Sequence, residues 1–179
     1  NANYKNNIDW AEREEELLKL LSEYRSGEGK WDILVPSSGG KDSGYVAHIL
    51  KYKYKMNPLT VTWSPLRYTN IGIDNFNALN DSGFVNLKCS QNGIIHRKIA
   101  RLCLEEFGDA FHAFVVGQAY FPIHMALKFN IKLIFYGENG EVEYAGTPSL
   151  VDKPYVDLSQ KDNWLKGYLK GTTLKELIK

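Results

Sequence analysis

Residues 31–45 read WDILVPSSGGKDSGY, and their reading decides the fold. Ile33 to Val35 is an apolar run suited to a buried parallel strand, and Pro36 ends it where a turn rich in Ser and Gly begins. Beyond the turn, Ser43, Tyr45, Val46, His48, Ile49 and Leu50 continue as a helix with an apolar face. The order is strand, glycine loop, helix N-terminus. That geometry presents unpaired backbone N–H groups at the positive end of a helix, which is the physical requirement for holding phosphate.

The residue types sharpen this. Gly39 and Gly40 let the backbone approach a phosphate and allow positive φ, while Ser38 and Ser43 offer hydroxyl donors on either side. Lys41 adds a positive charge. Asp42 repels a phosphate unless a cation lies between them, so it is the candidate ligand for Mg²⁺ carried in with a nucleotide. A Walker loop needs Gly six positions before its Lys, where this chain has Val35. The plain alternative is an ordinary polar strand-to-helix turn. The run Ser38-Gly39-Gly40-Lys41-Asp42-Ser43 nevertheless resembles the SGGxDS loop of the PP-loop, or N-type, ATP pyrophosphatases, which split ATP between its α and β phosphates. Gly44 departs from that pattern, since a second hydroxyl residue often follows the last Ser.

A chain of 179 residues suits one compact domain with a substantial core. Hydrophobic residues at 44% and charged residues at 24% are ordinary for a globular protein. The net charge of +1 gives no long-range pull on nucleic acid or an anionic membrane. No apolar run approaches the roughly 20 residues of a membrane span, and the polar start does not read as a signal peptide, so a cytoplasmic location is expected. Cys89 and Cys103 are too few for a structural zinc site. Both read more simply as buried thiols than as catalytic or sulfur-carrying groups.

Asp9 is a plausible N-cap for a helical lead-in, within residues 1–29, carrying Trp10, Leu17, Leu18, Leu20, Leu21 and Tyr24 on its apolar side. After the loop and its helix, Asn57-Pro58 marks a turn and Leu59 to Trp63 reads as a second strand. Strand, helix, strand at these lengths makes a right-handed parallel crossover, which brings the end of the second strand beside the loop. Thr62, Trp63 and Ser64 are then candidates for the adenine side of a pocket, with core packing the alternative for Trp63. Ile73 to Asn80 looks helical and Phe84 to Cys89 strand-like. Asn92 to Phe107 reads as an amphipathic helix with Ile94, Ile95, Ile99, Leu102, Cys103 and Leu104 inward. His96, Arg97, Lys98 and Arg101 give that helix a basic face, either solvated or meeting a substrate phosphate. Residues 117–130 hold another helix, with Phe121, Met125, Ala126, Leu127 and Phe129 as core candidates and Pro122 near its first turn.

Ile131 to Tyr136 is the next strong strand, and it runs into Gly137-Glu138-Asn139-Gly140-Glu141-Val142-Glu143-Tyr144. Three carboxylates beside two glycines at the end of a buried strand suit metal binding or substrate orientation; a solvated acidic turn is the alternative. A proline-containing loop over 146–157 and short helices at Trp164–Leu169 and Thr172–Ile178 complete a C-terminal stretch from 145 to 179. The whole is expected to be a doubly wound α/β domain with a mainly parallel sheet flanked by helices.

With both loops in view a narrower resemblance emerges. The segments NNIDWAEREEELLKLL, ILVPSSGGKDSGYVAHILKYKYKMNPLTVTW and ALKFNIKLIFYGENGEVEY resemble the N-acetyl sugar amidotransferases of bacterial surface-polysaccharide synthesis. The resemblance implies a Rossmann-like adenine nucleotide alpha hydrolase fold and conversion of an acetamido group on a nucleotide-linked sugar to an acetamidino group, using ATP, Mg²⁺ and ammonia. A glutaminase partner related to the two-subunit imidazole glycerol phosphate synthase is implied as the ammonia source. Residue by residue, it implies pyrophosphate cradling by Ser38, Gly39, Gly40 and Ser43, charge neutralisation by Lys41, Mg²⁺ at Asp42, a place for Thr62, Trp63 and Gly137 around the nucleotide, and metal or substrate roles for Glu138 and Glu141. Members of that family usually begin with a cysteine cluster and continue well beyond the matched region; the 179 residues contain neither part. The competing expectations are a PP-loop enzyme that thiolates transfer RNA and a nucleotide-binding module without catalysis. Homo-oligomerisation is left open.

Overall fold

The computed structural model describes residues 8–27 and 29–138. Glu141, the loop over 146–157 and the two short C-terminal helices expected from the sequence lie outside the described residues. The chain divides into two compact units, one formed by Asn1–Ser90 with Phe121–Gly137 and the other by Gln91–Tyr120 with Glu138–Lys179.

The first unit is α/β. Helix α1 (Trp10–Glu23) starts where expected: the Asp9 carboxylate accepts from the N–H groups of Ala11 and Glu12 at 3.0 and 3.1 Å. Strand β1 (Ile33–Pro36) leads through the glycine loop into α2 (Lys41–His48), which continues as a π-helical turn over Ile49–Lys53. Strand β2 (Pro58–Trp63), helix α3 (Asn70–Asp81) and strand β3 (Val85–Cys89) follow. The three strands are parallel in the order β1-β2-β3, with Val35 beside Thr60 and Thr60 beside Asn86. On the free side of β1 the chain returns at 133–135: Leu34 N–H donates to the Leu133 carbonyl at 3.0 Å and Phe135 N–H to the Leu34 carbonyl at 2.9 Å, forming a single parallel bridge to Ile134. The expected strand over Ile131 to Tyr136 is thus present as one bridge.

Strand side chains alternate between faces, and both faces are covered. Ile33 and Val35 pack with Leu21 of α1, Ala47 of α2, Leu50 of the π turn and Leu79 of α3. Leu34, Leu59 and Val61 pack on the opposite side against Ile131 and Ala126, with Phe121 and Met125 at the margin; Ala126, Phe121 and Met125 belong to α5 (His112–Lys128). Two successive crossovers lie on one face and the return to the far side of β1 lies on the other. Such a reversal opens a crevice at the carboxyl ends of β1 and its new neighbour, where open α/β sheets bind ligands.

The amino edge of β1 is anchored by Asp32, which is 8% exposed. Its carboxylate accepts from Ser26 N–H at 2.6 Å and Asn57 N–H at 2.7 Å, joining the exit of α1 to the entry of β2. Asp32→Ala is expected to lower stability by about 2 kcal/mol, below the full cost of two stranded N–H groups because Ser26 and Asn57 are exposed to water. A urea midpoint unchanged from the wild type contradicts this.

Several expectations are corrected. Trp10, Leu18 and Tyr45 are exposed, because α1 and α2 turn Leu17, Leu21, Val46 and Ala47 to the core instead. The π turn was not anticipated; its wider ring carries Tyr54 N–H to the Ile49 carbonyl at 3.1 Å and brings Leu50 inward. Pro122 lies inside α5, not at its first turn, because that helix starts at His112. Leu127 and Phe129 are exposed.

In the second unit, α4 (Gly93–Phe107) is capped by Asn92, which accepts from Ile94 and Ile95, and ends at Gly108 with φ +72°. Its expected inward residues Ile94, Ile95, Ile99, Leu102 and Leu104 are exposed, whereas Cys103 and His96 are buried. Apolar residues occupy more than one side of this helix, so periodicity alone does not select the covered stripe. Burial, followed by the nearby Asp109 charge, pushes the Cys103 thiol above its ordinary range, against a lowering by the Ala113 backbone. No helix among the described residues is long and apolar enough to cross a membrane.

Candidate functional site

The loop that follows β1 is held by a chain of hydrogen bonds. Ser37 N–H extends the ladder to the Val61 carbonyl at 2.8 Å, and Thr62 donates its hydroxyl proton to the Ser37 carbonyl. Gly39 N–H lies 3.4 Å from Ser37 Oγ, Ser37 Oγ lies 2.9 Å from Ser43 Oγ, and Ser43 Oγ donates to the Gly40 carbonyl at 3.2 Å. One proton per hydroxyl suffices if Ser37 donates to Ser43. Ser37, buried at the start of the loop, thus takes the organising position, whereas Ser38, the serine singled out in the sequence, is exposed. The two adjacent serines differ only in strand parity, and parity at a strand end cannot be counted until the ladder is known.

Two glycines are required by close approach. Gly39 has φ +88°, and a Cβ there would fall 2.8 Å from both N and Cα of Phe76 in α3. Gly137 follows the 133–135 segment, and a Cβ on it would fall 2.7 Å from Ser43 N and 2.8 Å from Ser43 Cα. Gly137, the first residue of the second stretch singled out in the sequence, therefore meets the first turn of α2 main chain against main chain. Gly40 caps that helix in an extended conformation with no side chain to satisfy the first-turn N–H groups.

The charged groups sit outside this framework. Lys41 Nζ and Asp42 Oδ1 are 2.7 Å apart, with both side chains largely in solvent. An exposed pair of this kind is weak, so either side chain can leave it at little cost. No cluster of three or more His, Cys, Asp or Glu with metal-ligand spacing occurs among the described residues. A single carboxylate beside bound phosphates still suits Mg²⁺, which keeps much of its water shell and is often held by one or two carboxylates plus phosphate oxygens. Asp42, exposed and held among the described residues by a weak pair with its neighbour, would be the carboxylate available to such an ion. Glu138 is exposed directly after Gly137, in the second unit.

The residues expected on the adenine side divide. Thr62 is 1% exposed and its hydroxyl is engaged by the Ser37 carbonyl, so it reaches the edge only through the loop. Trp63 packs against Phe121, ring centroids 5.7 Å apart, and its indole N–H is buried without an acceptor among the described residues. Ser64 is buried, its N–H donating to the Cys89 carbonyl at 2.9 Å. Two further residues were not anticipated. Lys88, at the end of β3, holds its ammonium 5.0 Å from the centre of the Phe76 ring and 5.4 Å from that of Tyr68, putting a second cation on the elements that flank the loop. Asn86 bonds to Thr60 and Thr62. Neither stands out in the sequence, since their significance comes from strand pairing.

Comparison with models of known protein families and with curated proteins finds no match for this chain.

Proposed function

We propose that the chain is an ATP-dependent amidotransferase of the PP-loop type, forming AMP and pyrophosphate, which converts the acetamido group of a nucleotide-linked sugar to an acetamidino group for lipopolysaccharide, O-antigen or related surface-glycan synthesis. The observation that carries the reading is the meeting of Gly137 with Ser43 beside the Gly39 turn: a bare main-chain cradle at the carboxyl edge of a parallel sheet. The resemblance of the three sequence segments quoted above supplies the acceptor and the ammonia-delivering glutaminase partner.

An amide carbon is a poor electrophile and its oxygen a poor leaving group. In the proposed reaction the acetamido oxygen attacks the α phosphorus of ATP, the bond to the bridging oxygen breaks, and pyrophosphate leaves with the electron pair. Ammonia then adds to the activated carbon, AMP departs with the former amide oxygen, and loss of a proton leaves the amidine. The backbone of Ser38, Gly39 and Gly40, the first turn of α2 and the Ser43 hydroxyl hold the outer phosphates, which gain charge as the bond breaks, and Lys41 neutralises part of that charge. Asp42 would hold Mg²⁺, which supplies further charge neutralisation when bound. Glu138 and Glu141 are the further candidates for metal or substrate.

The test is product analysis after incubating the chain with ATP, Mg²⁺, ammonium and nucleotide-linked diacetamido sugars. The expected result is AMP and pyrophosphate formed only with a sugar acceptor, together with a product carrying NH in place of an amide oxygen. AMP release driven by transfer RNA favours the thiolase reading, and nucleotide binding without turnover favours a regulatory module.

A further inference from the structure

We infer that Asn86 is a positioning residue for the phosphate loop: it fixes the direction of a buried hydrogen-bond chain that pins the Ser37 carbonyl and thereby aims the Ser38 N–H away from β2. Thr60, Thr62 and Asn86 lie on one face of neighbouring strands, and the two threonines are 0% and 1% exposed, so water does not replace their partners. Each threonine has one proton. Thr60 donates to the Val85 carbonyl at 2.8 Å, and Thr62 donates to the Ser37 carbonyl. Both hydroxyl oxygens are then left as acceptors, and the Asn86 Nδ2 group donates to them, at 2.9 Å each. Asn86 Oδ1 lies 3.1 Å from the Thr62 hydroxyl, which has no second proton to give. The Asn86 amide is the group whose two donors hold both threonine protons on their carbonyls.

The consequence reaches the loop through one peptide. The described residues contain no cis peptide bond, so the Ser38 N–H points opposite to the Ser37 carbonyl. Holding that carbonyl toward Thr62 sets the direction of the Ser38 N–H, a donor of the glycine turn with no acceptor among the described residues. A carboxylate at position 86 offers only acceptors; it draws the Thr62 proton to itself and releases the carbonyl.

The effect on a ligand rests on the phosphate reading above, whereas the effect on the loop does not, and the experiment separates them. Amide ¹H–¹⁵N spectra of the full chain are recorded without nucleotide for the wild type, Asn86→Asp, Thr62→Val and Thr62→Ser, and ATP with Mg²⁺ is then titrated into each. Asn86→Asp and Thr62→Val are expected to move the Ser38 and Gly39 resonances while the rest of the spectrum stays dispersed, and to weaken ATP binding roughly tenfold or more, the value of one hydrogen bond to a charged group. Thr62→Ser, which keeps the hydroxyl, is expected to retain both properties. The affinity ratio of Asn86→Asp to wild type is expected to recover as pH falls through the titration of the new carboxyl, because its protonated form regains a donor. Loop resonances that superimpose on the wild type overturn the inference. Shifted resonances with unchanged ATP affinity overturn the positioning role while leaving the phosphate site intact. Shifted resonances in a chain that binds no ATP in any form overturn the phosphate reading, and the role toward phosphate with it.

Discussion

Gly39→Ala is expected to cost about 3 kcal/mol of stability and to remove nucleotide binding. Two independent terms add. A φ of +88° places an L side chain in the left-handed region, at about 1–2 kcal/mol. The new Cβ also falls 2.8 Å from the Phe76 backbone, where no flexible side chain can give way, and overpacking of this kind adds typically about 1–3 kcal/mol. Relief requires either α3 or the loop to move, and moving the loop takes the Ser38 and Gly39 amides with it. Gly44 is the internal control. It lies inside α2 with open space around it, so Gly44→Ala is expected to raise stability by about 0.5–1 kcal/mol through helix propensity alone. Thermal or urea unfolding of the two variants measures the contrast; equal effects at both positions contradict the assigned packing.

The second large effect is on turnover. Asp42→Asn is expected to leave the fold intact, since the carboxylate is more than half exposed and, among the described residues, pairs with its exposed neighbour Lys41. It is expected to lower AMP formation at saturating ATP by roughly a hundredfold or more, the size of losing one electrostatic contact, about 3 kcal/mol, to the charge that develops in the transition state. Unchanged turnover refutes the metal assignment. Lys41→Ala, which removes the partner but leaves the carboxylate, separates the two roles: a loss seen mainly in the Michaelis constant places Lys41 on ground-state phosphate, and a loss in turnover places it on the departing pyrophosphate.

What was legible in the sequence was local. Asp9 sits before an amphipathic run and caps a helix by its own geometry, and the order strand, glycine loop, helix follows from residues 33–50 without reference to any distant contact. The return of the chain beside β1 was also legible, because residues 131–136 are apolar enough to require burial beside a strand. What escaped depended on pairing or on choice among faces. The special standing of Ser37 over Ser38, and of Asn86 at all, exists only once β1, β2 and β3 are in register. The apolar pattern of α4 has more than one candidate stripe, so it misplaced Ile95 and Ile99 inward and His96 outward. Pro122 read as a helix start because proline favours that position, yet the helix runs through it. The need for glycine at 137 was invisible for the same reason: it answers to Ser43, ninety-four positions earlier, across the sheet edge.

The central claim, that the turn after β1 and the first turn of α2 grip the outer phosphates of ATP, is tested most directly by titrating the chain with Mg²⁺ and the α,β-methylene analogue of ATP, which resists cleavage, while following backbone amide resonances. The account predicts that the largest perturbations fall on Ser38, Gly39, Gly40, Ser43 and Gly137, with saturation at a single site. Perturbations centred on other residues, with these five unmoved at saturation, contradict it.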